Sequence, residues 1–409
     1  MFILVVLLWC AILTCTPTFA QQNIRQIERH AADLKARGDA AGALAEYEKA
    51  ASLDSNSARI QHEIGFLQAV LQRYPEAIRH LEQAIALDPE FAVAEYHLGV
   101  AYWLQKNPEH SIPHLEKAVS LDSHNFDYRF HLAHALNEIS QYSVALPHCQ
   151  TATEIAPKNA EAWNQLGLAR QHTGDPKGAL DDYRRAVNLD PKNLDARNNF
   201  GVMLVDSGRA DEGVAEFRKI LAADPANNMA HLNIGFAHLQ KAELNSAENE
   251  FRDVLRRDPN LAIAHYDLGV ALKQKDDLDN AKAEFARAIA LEPSLAEAHY
   301  TLGIVHWQSG SFDDAAKEMQ AAIAIRPDYE EAWFMMGTAL KQKGDLDAAE
   351  SALRNAIRYA PDDPGPYNTL GQLLRQKGDV DASRKAFADG AHAKQKKEIE
   401  LGKMLQKKH

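Results

Sequence analysis

One short phrase, an apolar residue followed by Asp-Pro or a close variant, returns along the whole chain at a fixed interval. It reads Leu53-Asp54-Ser55, Leu87-Asp88-Pro89, Leu121-Asp122-Ser123, Ala156-Pro157 and Leu189-Asp190-Pro191, then Asp224-Pro225, Asp258-Pro259, Glu292-Pro293, Arg326-Pro327 and Ala360-Pro361. Successive third residues are 34 apart each time, with no insertion. A period of this length marks a repeat architecture, in which one supersecondary unit is stacked many times. It excludes the two or three separate globular cores that 409 residues would otherwise suggest.

Counting back from the phrase starts the first repeat at Ile24 and the eleventh at Pro364. The remaining positions then fall into register. The eighth is Gly65, Gly99, Gly167, Gly201, Gly235, Gly269, Gly303, Gly337 and Gly371, with Ala31 and Ala133 as replacements. The seventh is apolar except at His30. The twentieth is small, as in Ala77, Ala247 and Ala281, and the twenty-fourth is bulky, as in Tyr47, Tyr183, Phe217, Phe251, Phe285 and Phe387. Gly38-Asp39, Gly174-Asp175, Gly344-Asp345 and Gly378-Asp379 pair a helix-ending residue with a helix-capping one. The closing proline has no amide to donate and ends a second helix. Each repeat therefore reads as a helical hairpin whose two helices cross closely where side chains are smallest.

From about Ile24 to Lys397 these positions resemble the tetratricopeptide repeat. The resemblance implies an all-α fold, a right-handed α-solenoid (superhelix) of eleven tandem hairpins, with the first helix of each lining an inner groove. Such a stack is stable only through its neighbours, so its ends need shielding. Residues 391–409, with Lys394, Lys396, Lys397, Lys403, Lys407 and Lys408, read as a capping extension of the last helix and a basic tail.

Residues 1–20 stand apart. Phe2 to Thr14 is apolar without a charge, too short for a membrane span, and small residues Thr18 and Ala20 suit cleavage after Ala20. The expectation is a signal peptide and an exported, periplasmic or secreted, protein. The alternative is an uncleaved membrane anchor, since the segment has no Lys or Arg. No second apolar span follows. Removal of Cys10 and Cys15 with the leader leaves Cys149 alone, so no internal disulfide can form and packing must hold the fold. A net charge of −12 argues against nucleic acid as a partner.

In the resembled family, positions two, five, six, nine, twelve and thirteen point mostly into the groove. Here they include Tyr96, Trp103, Phe130, Phe236, Tyr266, Tyr300 and Trp307, together with Asn164, Asn198, Asn199 and Asn233. Rigid rings bury area at small entropic cost and amides can bond a passing backbone, so the expected partner is a protein or extended peptide. The same rings could instead pack against the next hairpin. The lysine and arginine constellation by which some relatives hold a C-terminal carboxylate is missing. His97, His131 and His134 fall on the same face, where they serve as groove lining, as a titrating patch, or as metal ligands. No cofactor is expected.

Nothing points to catalysis. His62-Glu63-Ile64-Gly65-Phe66 begins like a zinc-protease helix but has Phe where the second His is needed, and Cys149 sits at a core-filling position. The expected function is a non-catalytic scaffold for a protein or extended peptide in an exported assembly. Alternatives are a recognition subunit for a separate catalytic chain, or a small-ligand or metal-binding protein using the groove histidines.

Overall fold

A computed structural model of the protein describes residues 19–406. Among those residues the chain forms 22 helices and no strand. They pair in order as eleven hairpins, and the chain divides into two units, Met1–Met203 and Leu204–His409. Each unit is a solenoid of stacked hairpins.

Hairpin three shows the local logic. Its first helix, Ala92–Leu104, is followed by Pro108–Leu121, with proline opening the second helix where its missing amide does no harm. The second helix of hairpin two ends at Leu87 because Asp88, extended at φ −141° ahead of Pro89, cannot continue it. Between helices, Gly38, Gly174, Gly344 and Gly378 take positive φ. The aspartates after them cap as read: the Oδ1 atoms of Asp39 and Asp379 accept from the Gly42 and Ala382 amides at 2.8 and 3.0 Å. Five hairpins make the same turn without glycine, at Gln72, Lys106, Ser140, Ala242 and Asp276.

The core of each hairpin is the crossing of position eight with position twenty-four. A Cβ built on Gly269 would lie 2.7 Å from Phe285 Cε1, and one on Gly99 would lie 2.7 Å from Leu115 Cγ. Phe251, Phe285, Leu115 and Tyr183 are fully buried there. Each such ring or chain contributes about 2–3 kcal/mol of transfer free energy. Successive first helices touch one another within each unit, as Ala92–Leu104 does with Phe126–Glu138 and Asn228–Gln240 with Ala262–Gln274. Among the described residues no such contact joins successive second helices, so the first-helix face is the inner side of each stack.

Several of the 18 histidines lie between the two helices of a single hairpin. In hairpins seven, eight and nine, Nδ1 of His231, His265 and His299, all at position four, meets Oε2 of Glu250, Glu284 and Glu318 at 2.7, 2.6 and 2.7 Å. His114 and Glu95 make the same brace with the partners exchanged, at 2.6 Å. These pairs tie the two helices of one hairpin together, and the sequence reading did not foresee them.

The ends extend the repeat. The first helix starts at Phe19, ahead of the repeat boundary at Ile24, while the apolar leader from Phe2 to Thr14 lies outside the described residues. The last helix, Val380–Gln406, runs 27 residues against 14 for the second helix before it. Ala393 is buried on it and Lys396 Nζ donates to Asp362 Oδ1 at 2.8 Å, so the extension lies back on hairpin eleven. No helix of the described residues is long and apolar enough to cross a membrane.

Two substitutions test this packing by chemical denaturation. Gly269→Ala should destabilise by about 1–3 kcal/mol, because the new methyl forces the buried Phe285 ring to move despite better helix propensity. Ala242→Gly should stabilise by about 1 kcal/mol, since Ala242 sits at φ 56°, where a Cβ is penalised.

Candidate protein-binding face

The inner face is organised by a rule that links hairpins: position five of one meets position six of the next. His62 Nε2 lies 2.8 Å from His97 Nδ1. Tyr96 Oη lies 3.2 Å from His131 Nδ1, and the Asn199 amide donates to Asn164 Oδ1 at 3.0 Å. Tyr266 and Thr301 share a hydrogen bond between hydroxyls. Two turns further along, Trp103 Nε1 donates to Glu138 Oε2 at 2.5 Å. The spacing of 35 residues follows from the 34-residue period plus one, because the next first helix is offset by one position along the stack.

Most side chains expected to meet a ligand are engaged by neighbours, some in the same hairpin and some in the next. Tyr96 packs on Tyr128 with centroids 4.9 Å apart, and Tyr300 on Tyr329 at the same separation. Phe130 stacks on Phe126 at 5.4 Å and lies edge-on to His131 at 5.3 Å. Tyr266 leans on Phe285, and the Trp307 indole nitrogen is buried without a hydrogen-bond partner. Asn164 is buried and donates to Glu161 Oε1 at 3.2 Å, while Asn198 and Asn233 are also engaged within the protein. Phe236 differs: at position nine of hairpin seven it is 47 % exposed. Met229 and Ile263, at position two of hairpins seven and eight, are 57 and 39 % exposed. The sequence reading placed Phe236 on this face and passed over the other two.

The four inner histidines form a ring-lined strip in hairpins two to four. His62 and His97 stack with centroids 5.0 Å apart, and Phe66 and Tyr96 flank His97 at 4.8 and 5.1 Å. His134 lies edge-on to Trp103 at 5.2 Å, with its Nδ1 buried and without a partner. Among the described residues no group of three or more His, Cys, Asp or Glu side chains is placed to hold a metal. Burial pushes both stacked rings below the ordinary imidazole range, His97 to about 3, helped by the His62, Lys35 and His131 charges. Cys149 is sealed in the core, where burial raises its thiol to about 12, so it offers no thiolate at neutral pH.

The sign of the pH effect follows. As pH falls through 6.5, the unfolded chain protonates at His62 and His97 while the folded chain excludes those protons, so stability declines from 6.5 downward toward about 3 for His97. For His97 the excluded proton costs about 1.4 kcal/mol per pH unit, or about 2 kcal/mol between pH 6.5 and 5. Urea midpoints at pH 7 and pH 5 should show this loss, and His97→Asn should lose less on acidification than the wild type.

With the fold and this face described, similarity to known proteins can be placed. Sequence signatures of the tetratricopeptide repeat match residues 198–262, 232–281, 266–330 and 334–397, and others of the same repeat match 69–106, 96–125 and 160–193. No curated protein sequence matches the chain. Among solved structures, yeast Tom70 aligns over 94 % of this chain and 94 % of its own, at 14 % identity and a TM-score of 0.51. A tetratricopeptide repeat protein from Parabacteroides merdae aligns over 61 % of this chain and 98 % of its own, at 14 % identity and a TM-score of 0.55. The Cut9–Hcn1 hetero-tetramer of APC/C contributes a chain aligned over 86 % of this one and 90 % of its own, at 13 % identity and a TM-score of 0.51. At such identities these likenesses speak to the fold. The hairpins, the glycine crossings and the matching signatures together make the chain a member of the tetratricopeptide repeat family.

Proposed function

We propose that the protein is a non-catalytic scaffold that holds an extended peptide or protein segment along the first-helix face. The observation that carries this reading is the exposure of Met229, Phe236 and Ile263 on the inner side of hairpins seven and eight. Elsewhere on that face the aromatic side chains are partly buried, against neighbours in their own hairpin or the next. Large apolar groups left to water on an inner surface lined by fixed polar atoms suit a partner that covers them and bonds alongside. An extended segment fits because successive first helices present the same positions again at each repeat, which matches a chain running along the stack. We further propose that the scaffold acts outside the cytoplasm, on the strength of the apolar leader and the small residues before Gln21.

Partner capture tests the first claim. The chain and its Met229→Ser/Phe236→Ser/Ile263→Ser variant should recover different protein sets, with the main partner reduced at least about tenfold for the variant. Identical recoveries would contradict the assignment of the face. For the second claim, the native protein isolated from its cells should begin at Gln21; a chain beginning at Met1 would contradict export with cleavage.

A further inference from the structure

The link between position five and position six breaks once in a way that leaves a charge behind. His62, Tyr96, Asn164 and Tyr266 each give the next hairpin's position-six side chain a polar partner. At hairpin seven, position five is Leu232, a buried apolar residue, and the same register assigns it Asp267 at position six of hairpin eight. Among the described residues no donor or cation stands against the Asp267 carboxyl, Lys273 on the same helix included. Partial burial alone pushes its acid up to about 7, with nothing to offset the rise. A half-buried carboxylate without a partner is unfavourable, and a single arriving cation relieves it.

What surrounds this acid limits what can arrive. Asp267 lies on the inner side of Ala262–Gln274, one turn along from Ile263. Hairpin seven presents Phe236 and Met229 on the same side, and these three apolar groups are the exposed ones named above. A small hydrated cation would gain nothing from them. A lysine or arginine side chain would lay its methylene stem on the apolar surface and bring its charged head to the carboxylate.

We propose that Asp267 is the specificity-determining residue of the inner face, selecting a partner segment with a lysine or arginine between apolar side chains. This inference rests on the functional reading above and adds the chemistry of the partner to it. It also gives Leu232 a role: a polar residue there would satisfy Asp267 from within and remove the selectivity.

The test uses the full chain and three synthetic nine-residue peptides of alternating apolar and polar residues, with lysine, norleucine or glutamate at the centre. Affinities are measured at pH 8 and low salt for wild type and Asp267→Asn, with circular dichroism confirming the helical content of both. Wild type should bind the lysine peptide at least about tenfold more tightly than the norleucine peptide, and the glutamate peptide most weakly. Asp267→Asn should lose the preference, binding the lysine and norleucine peptides within about twofold of each other. Equal binding of lysine and norleucine peptides by wild type, or an unchanged preference in Asp267→Asn, would overturn the inference and leave the groove reading intact. Failure of wild type to bind any of the three would overturn both.

Discussion

The close crossing of two helices at a glycine is the interaction on which everything else depends. Where position eight has no side chain, position twenty-four can place a whole ring against the opposing backbone, as Phe285 does beneath Gly269. That contact fixes the angle within a hairpin and turns one apolar face of it outward along the chain direction. A single hairpin has nowhere to bury that face, so the next must cover it, and stability becomes a property of the row. The lone buried Cys149 fits the same picture, since it fills a position-twenty-four site and contributes volume rather than chemistry.

Bracing within a hairpin and bracing between hairpins use different chemistry. Within a hairpin, histidine and glutamate join the two helices, as at His265 and Glu284. On the inner side, polar pairs join one hairpin to the next, as at Asn164 and Asn199. The inner pairs also hold the surface still. Side chains already fixed by neighbours lose little freedom when a partner arrives, which lowers the entropic cost of binding. The same engagement removes most of the aromatic residues from the list of ligand anchors, leaving Met229, Phe236 and Ile263 exposed on hairpins seven and eight, with Val70 and Leu104 exposed at the ends of the first helices of hairpins two and three.

Much of this was legible in the sequence. The 34-residue period, the glycines at position eight and the Gly-Asp turns specify hairpins, their boundaries and their crossing, because each is a local demand of backbone geometry. The turns at Gln72, Lys106, Ser140, Ala242 and Asp276 show the limit of that reading, since the same local backbone hydrogen bonds that close the glycine turns, such as Arg73 N to Gln68 O at 2.8 Å, hold a positive φ there without glycine. The inner face was legible as a set of positions and not as a set of roles. Whether Tyr96 meets a ligand or His131 depends on how adjacent first helices are offset, and that offset comes from packing. Knowing it, the five-to-six pairing can be read from the residues, including its interruption at Leu232 and Asp267.

The central claim is that the first-helix face receives the partner. Hydroxyl-radical footprinting of the chain alone and with its captured partner measures this directly, because Met229 and Phe236 are both reactive side chains and well exposed. The account predicts that their oxidation slows on binding while Leu189 and Ile325, exposed on second helices, react as before. Protection of the second-helix residues with Met229 and Phe236 unchanged would contradict it.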